Sequence, residues 1–253
     1  MSAGLKERLR AGDPTLGTFL NLGSPLAAEA CALAGFDWLL VDLEHGAGGE
    51  DALVGQLLAA AAHDVPVIVR TETAERIRAG RVLDSGAAGV MFPRLDTETE
   101  VAEALAHLRY PPLGDRGVAT YNRACGFGLR TDVLDTANDD VIAVVQIESV
   151  AALENVEAIA AVAGVDVLFV GPRDLSHALG VPGHLDAPEY RAALARVVAA
   201  ARAAGVSAGV LASGREAAEG YIEDGFGFVA VGSDSSFVAV AARAAARPYQ
   251  LTT

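Results

Sequence analysis

Val141-Ile-Ala-Val-Val-Gln-Ile147, with Glu148 directly after it, decides how the rest of the chain reads. A strand with one wet face alternates apolar and polar residues, whereas this run is apolar at all but one position and must be covered on both faces. Runs of the same kind recur at Gly17 to Leu20, Trp38 to Asp42, Pro66 to Arg70, Gly89 to Phe92, Val165 to Val170, Val206 to Leu211 and Phe228 to Gly232, giving eight with the first. A polar loop and an Ala/Leu/Val-rich stretch at helical spacing follow each one. Eight strand-then-helix units with doubly buried strands predict an α/β protein, a single (β/α)8 barrel, and about 250 residues is the usual size of that fold. The whole span 1–253 reads as one domain without linkers or low-complexity tracts.

Hydrophobic residues make up 52% of the chain and the formal net charge is -14. The charge excludes a nucleic-acid footprint, because phosphate binding needs a basic face. The Met1 to Asp13 segment is charged and unlike a signal peptide, and no stretch reaches the ~20 apolar residues of a membrane span, so a cytoplasmic protein with no membrane partner is expected. Cys31 and Cys125 lack the spacing of a disulfide framework or a zinc site.

In parallel barrels the working residues sit at the C-terminal ends of the strands. The second strand ends in Asp42-Leu-Glu44-His45, the third in Arg70, the fifth in Gln146-Ile-Glu148, and the sixth runs into Gly-Pro-Arg173-Asp174. Gln146 and Glu148 are two apart, so they share a face, and at a barrel mouth that face can be the interior. A carboxylate there must be paired, protonated or metal-bound. Glu148 and Asp174 on neighbouring strands suit one hard cation held by oxygen, such as Mg²⁺ or Mn²⁺. The alternative is that Glu148 pairs with Arg70 or Arg173 while Asp174 caps the short helix behind it, and spacing alone leaves both open. Arg70 suits an anionic substrate or a structural ion pair equally well. His45 is the one histidine directly after a strand, and with Asp42 and Glu44 beside it a proton-transfer role is expected. Asp84, at the end of a helix, has nothing in its spacing to single it out.

The lysine count separates mechanisms. The only lysine is Lys6, ahead of the first strand, whereas Schiff-base aldolases and pyridoxal-phosphate enzymes need one in the site. Neither route is expected. Two loops also depart from simple turns: Tyr110 to Leu129, expected near the active site or a neighbouring subunit, and Gly171 to Gly183, with a short helical piece. The loop after the eighth strand, Ser233-Asp-Ser-Ser236, is acidic and disfavours a phosphorylated substrate.

These residues, taken with Val67-Ile-Val-Arg70, Val82-Leu-Asp84-Ser-Gly-Ala, Pro111-Pro-Leu-Gly-Asp-Arg-Gly117 and Phe169-Val-Gly-Pro-Arg-Asp174-Leu-Ser, resemble the HpcH/HpaI family of class II pyruvate aldolases along essentially the whole chain. The resemblance implies a divalent metal (Mg²⁺, Mn²⁺ or Co²⁺) on Glu148 and Asp174, chelated by pyruvate or hydroxypyruvate. It also implies that Gln146, Arg173 and Asp174 hold substrate and that Arg70 stabilises an enolate. His45 would be the base, with Asp84 raising its basicity, and apolar residues such as Leu211 would meet the aldehyde. The implied reaction is reversible cleavage of a 4-hydroxy-2-oxo acid to a 2-oxo acid and an aldehyde. Oxaloacetate decarboxylation and acyl-CoA cleavage of the citramalyl-CoA type are the enzymatic alternatives; a catalytically idle binding barrel is the other. A homohexamer with exchanged C-terminal helices completes the expectation.

Overall fold

The computed structural model describes residues 2–246 of the 253, so the ends of the expected 1–253 domain, residues 1 and 247–253, lie outside the described residues. Eight parallel strands close into a barrel in chain order, β1 pairing back to β8. They are β1 Thr15–Leu20, β2 Trp38–Asp42, β3 Val67–Arg70, β4 Gly89–Phe92, β5 Ile142–Ile147, β6 Val167–Val170, β7 Ser207–Ala212 and β8 Phe228–Ser233. The single (β/α)8 barrel read from the apolar runs is therefore the fold.

Alternation along the strands divides the core in two. Trp38, Leu40, Ile68, Met91, Ile142, Val144, Val167, Phe169 and Phe228 fill the barrel interior, while Leu39, Val41, Val69, Val90, Val145 and Val170 face the surrounding helices. The Trp38 indole stacks on Phe228 with ring centroids 3.8 Å apart and lies against Gly17, where a Cβ would come within 2.1 Å of the indole. Only glycine fits there. One step up the interior, the same alternation turns Asp42, Arg70 and Gln146 inward, and they become the layer above the aromatic core.

The N-terminal segment is the main departure from the sequence reading, which left it as a polar lead-in. Ser2–Ala11 is a helix whose Leu5 and Leu9 join the interior cluster and close the N-terminal end of the barrel. Lys6, between them, is buried and donates to the Val141 carbonyl at 2.5 Å beside Asp166 at 3.2 Å. The chain's single lysine is thus a structural plug at the end opposite the strand-end residues. Burial lowers its ammonium pKa, which Asp166 partly offsets.

Candidate active site

Two groups of polar side chains meet at the C-terminal end of the barrel. The first is built on β2 and β3, whose register sets Asp42 beside Arg70. Arg70 donates Nε to Asp42 Oδ1 at 2.9 Å and Nη2 to Oδ2 at 2.7 Å, a bidentate pair that fixes the plane of the guanidinium. Nη1 lies 3.1 Å from Glu44 Oε2, a charge contact without hydrogen-bond alignment, and Phe19 lies under the cation at 5.4 Å. Burial alone would raise the Asp42 carboxyl pKa. The Arg70 guanidinium and the backbone N–H groups of Glu44 and His45 more than offset it, leaving the pKa below the ordinary value. Asp42 is the positioner of Arg70, and the ion-pair alternative for Arg70 is realised with Asp42 and Glu44 rather than with Glu148.

The second group belongs to β5 and β6. Gln146 Nε2 donates to Glu148 Oε2 at 2.8 Å, and the backbone N–H of Arg94 donates to Oε1 at 3.0 Å. Glu148 is 9% exposed and, among the described residues, makes no ion pair. Burial first, then the negative charge of Asp174, pushes its carboxyl pKa up. Asp174 stands in the first turn of the Pro172–Ala178 helix and makes no capping bond, since Gly171 is the N-cap. Both structural alternatives for this pair therefore fail. Gly171 completes the arrangement: a Cβ there would sit 3.3 Å from Glu148 Oε2 and 3.4 Å from Gln146 Nε2, so its absence leaves the space above both side chains open. The side-chain amide oxygen of Gln146, Oε1, is buried and has no hydrogen-bond partner. Two carboxylates with neutral donors, an open cradle and an orphaned acceptor are a donor set that fits one oxygen-ligated cation and a small polar ligand.

The remaining expected residues are placed less tightly. His45 is exposed at 64% of its side chain, with Nε2 3.8 Å from Glu44 Oε2. Leu211 lies half-buried on β7 against the interior cluster, and the Arg173 side chain is exposed. Asp84 is not brought to His45. The Arg76–Asp84 helix descends from the end of β3, so its last residue lies at the other end of the barrel, where Arg116 Nη2 holds the carboxylate at 2.8 Å. The Tyr110 to Leu129 loop is likewise away from the mouth of its own barrel, tied to that helix end by Ala124 N–H to Asp84 O and Arg123 to Ser85 O.

Sequence reading missed Asn21, Asp234, Arg94 and Gly171. Asn21 Nδ2 donates to Asp42 Oδ2 at 2.9 Å, and Asp234 accepts from the backbone of Asn21 and Leu22. The acidic loop after β8 thus carries a buried aspartate that shapes the end of β1. Asn21 directly after an apolar run was the available signal. Arg94 and Gly171 act through backbone and through a missing side chain, which spacing does not reveal.

The HpcH/HpaI aldolase/citrate lyase family model matches residues 15–241. The chain belongs to this family. It is similar to the hydroxypyruvate/pyruvate aldolase of Paraburkholderia phytofirmans, 43% identical over 247 residues and 95% of each chain. It is 41% identical to the 5-keto-4-deoxy-D-glucarate aldolase of Salmonella paratyphi C over 229 residues, 90% of each. A crystal structure of an HpcH/HpaI aldolase/citrate lyase family protein from Burkholderia cenocepacia superimposes with a TM-score of 0.93 at 42% identity, covering 98% of this chain and 99% of that one. The resemblance drawn from the strand-end motifs is thereby confirmed, and the protein is a carbon–carbon lyase of the class II aldolase kind. None of these relationships assigns a role to an individual side chain.

Proposed function

We propose that this family member cleaves a 4-hydroxy-2-oxo acid reversibly to pyruvate, or hydroxypyruvate, and an aldehyde, with Mg²⁺, Mn²⁺ or Co²⁺ held by Glu148 and Asp174. The observation that carries the reading is Glu148: a buried carboxylate with a raised pKa, held by neutral donors and without a cation partner. When bound, the cation supplies charge stabilisation to the ketone oxygen of the 2-oxo acid. Arg70, its plane locked by Asp42, keeps unused N–H groups on Nη1 and Nη2 for the oxygen that becomes negative as the C–C bond breaks. Preorganisation matters here because a guanidinium already oriented need not reorganise in the transition state. The backbone at Arg173 and Asp174 and the Gln146 amide hold the carboxylate end, and Leu211 faces the aldehyde.

His45 would take the proton of the 4-hydroxyl, through water if need be, given its exposure. Asp84 has no part in this step within one chain, so its support of His45 would require a second copy. His45's loose placement keeps a second reading in view. Oxaloacetate decarboxylation passes through the same enolate and needs no base, so the firmly built part of the site suffices for it.

The protein is proposed to be a cytoplasmic homo-oligomer, a hexamer by family likeness, with no nucleic-acid or membrane partner; among the described residues no helix is long and apolar enough to cross a membrane. Val238 and Val240 on the Asp234–Ala246 helix are 61% and 69% exposed, and Leu26 and Leu33 on the Pro25–Leu33 helix are 77% and 68% exposed, an apolar surface that a second copy would cover. Light scattering reporting a 25.9 kDa monomer would refute it. For the chemistry, EDTA should abolish cleavage, Mg²⁺, Mn²⁺ or Co²⁺ should restore it, and borohydride with pyruvate should leave activity intact. A covalent pyruvyl adduct would end the class II reading.

A further inference from the structure

Asn21 stands one residue past the end of β1 and level with Asp42, because Leu20 pairs with Val41. Its side-chain Nδ2 donates to Asp42 Oδ2 at 2.9 Å, the same oxygen that receives Arg70 Nη2 at 2.7 Å. The other oxygen, Oδ1, receives Arg70 Nε and the backbone N–H groups of Glu44 and His45. Among the described residues, Asn21 is therefore the one hold on Oδ2 that does not come from Arg70 itself. A carboxylate that fixes the plane of a guanidinium must itself be fixed, and at Oδ2 the Asn21 amide does this.

Asn21 is in turn built in from two sides. The step from Gly17 to Phe19 on β1 is matched by the longer step from Ala230 to Ser233 on β8, and Gly232 within it takes φ +59°. Such a bulge re-aims the residues that follow. Asp234, 3% exposed, turns both carboxylate oxygens onto β1, Oδ1 receiving Asn21 N–H at 2.8 Å and Oδ2 receiving Leu22 N–H at 3.2 Å. The Asn21 carbonyl accepts from Ala47 N–H at 2.8 Å, in the loop that carries His45. Gly23 and Gly48 let the two loops meet backbone to backbone, since a Cβ on either would come within 2.8 Å of the other's Cα.

Resting on the aldolase reading above, we propose that Asn21 is a positioning residue, its amide holding Asp42 so that Asp42 holds the Arg70 guanidinium where enolate charge develops. The position calls for an uncharged donor. A carboxylate there would oppose Asp42, and an apolar side chain would leave Oδ2 to Arg70 alone.

The test compares wild type, Asn21→Leu, Asn21→Ala, Ser24→Ala, Arg70→Lys and the double variant Asn21→Leu with Arg70→Lys. Each is assayed with saturating Mg²⁺ in cleavage of 4-hydroxy-2-oxopentanoate and in decarboxylation of oxaloacetate. Asn21→Leu keeps the volume and loses the donor; Asn21→Ala replaces it in the comparison if the leucine variant does not fold. Ser24→Ala removes a bond of the same loop, from Ala27 N–H to Ser24 Oγ, that does not involve Asp42. In Asn21→Leu, kcat should fall about 10-fold in both reactions, the scale for losing a hydrogen bond to a charged group. KM should stay within about twofold, because the charge that Arg70 meets develops only in the transition state. In the Arg70→Lys background, where an ammonium has no plane to fix, the same substitution should cost less than about twofold. Ser24→Ala should keep the wild-type kcat. An unchanged kcat in the Asn21 variants, a loss confined to cleavage, a loss that adds in full to that of Arg70→Lys, or the same loss in Ser24→Ala would overturn the proposal and leave the aldolase reading standing. Wild type that turns over neither substrate would overturn both.

Discussion

Lys6 at one end of the barrel and Glu148 at the other are both buried, and the two charges are treated in opposite ways. At the N-terminal end Lys6 has a carboxylate, Asp166, and a carbonyl, Val141, so its charge is answered inside the chain. At the C-terminal end Glu148 has only an amide and a backbone N–H as hydrogen-bond partners, and the charge that acts on it most is another carboxylate, Asp174. Burial moves both groups toward neutrality, the lysine down and the glutamate up. The difference lies in what is left unanswered. A closed pair is structure, whereas an open carboxylate with the orphaned side-chain amide oxygen of Gln146 beside it is a demand for something from outside.

The largest effect expected from this contrast is at Glu148. Replacing Glu148 by Ala should cost at least about 10³-fold in both aldol cleavage and oxaloacetate decarboxylation, since each develops enolate charge that a lost cation ligand no longer helps to hold. His45→Ala should separate the two reactions, losing about 10²-fold in cleavage, the low end for a general base because the side chain is exposed, and sparing decarboxylation. Steady-state kinetics with both substrates decides. Equal loss of both reactions in a folded, metal-binding His45→Ala protein would make His45 a positioner and remove the base from the mechanism.

At the other end the consequence should be mechanical. Lys6→Met leaves the partly buried Asp166 without its cation and should destabilise the fold by about 3 kcal/mol, the low end of the scale for breaking one partner of a buried pair. Chemical denaturation gives the loss, and kcat and KM below the midpoint should stay within about twofold of wild type. A large fall in kcat with stability intact would mean that the two ends are not independent, and the comparison would break.

The contrast also separates what was legible in the sequence from what was not. Strand positions were readable because the doubly buried runs end abruptly in polar residues, and period-two alternation carried Gln146 and Glu148 to one face. Asp42 and Arg70 were legible as strand ends, but their bidentate pairing needed the β2–β3 register. The Lys6 plug was hidden because Leu5 and Leu9 in a short charged segment look unremarkable until eight strand ends gather beneath them. The intrachain contact of Asp84 was hidden because its partner, Arg116, is 32 residues away in a loop of no regular pattern. At Arg94 the backbone conformation, invisible in the letter, does the positioning.

The smallest predicted effect is a slope, and it tests whether the Glu148 charge is truly unanswered. In metal-free protein the folded-state pKa of Glu148 lies above the unfolded value of 4.5. Below pH 4.5 the residue is protonated in both states and adds no pH dependence. As pH rises through the interval up to the folded pKa, the unfolded chain has released a proton that the native state still holds, so native stability falls; above it the cost is constant. Glu148→Gln cannot titrate at this position, and any fixed change in packing or hydrogen bonding merely offsets its curve. Wild-type stability minus Glu148→Gln stability, measured by denaturation in EDTA from pH 4 to 8, should therefore fall with pH and then level off. Repeating the series in millimolar Mg²⁺ should turn the difference upward with pH, because the cation binds the ionised carboxylate of the native state and binding stabilises it by mass action. A difference that is flat in EDTA would mean that the burial penalty is already met within the chain, and Glu148 would then be as closed as Lys6.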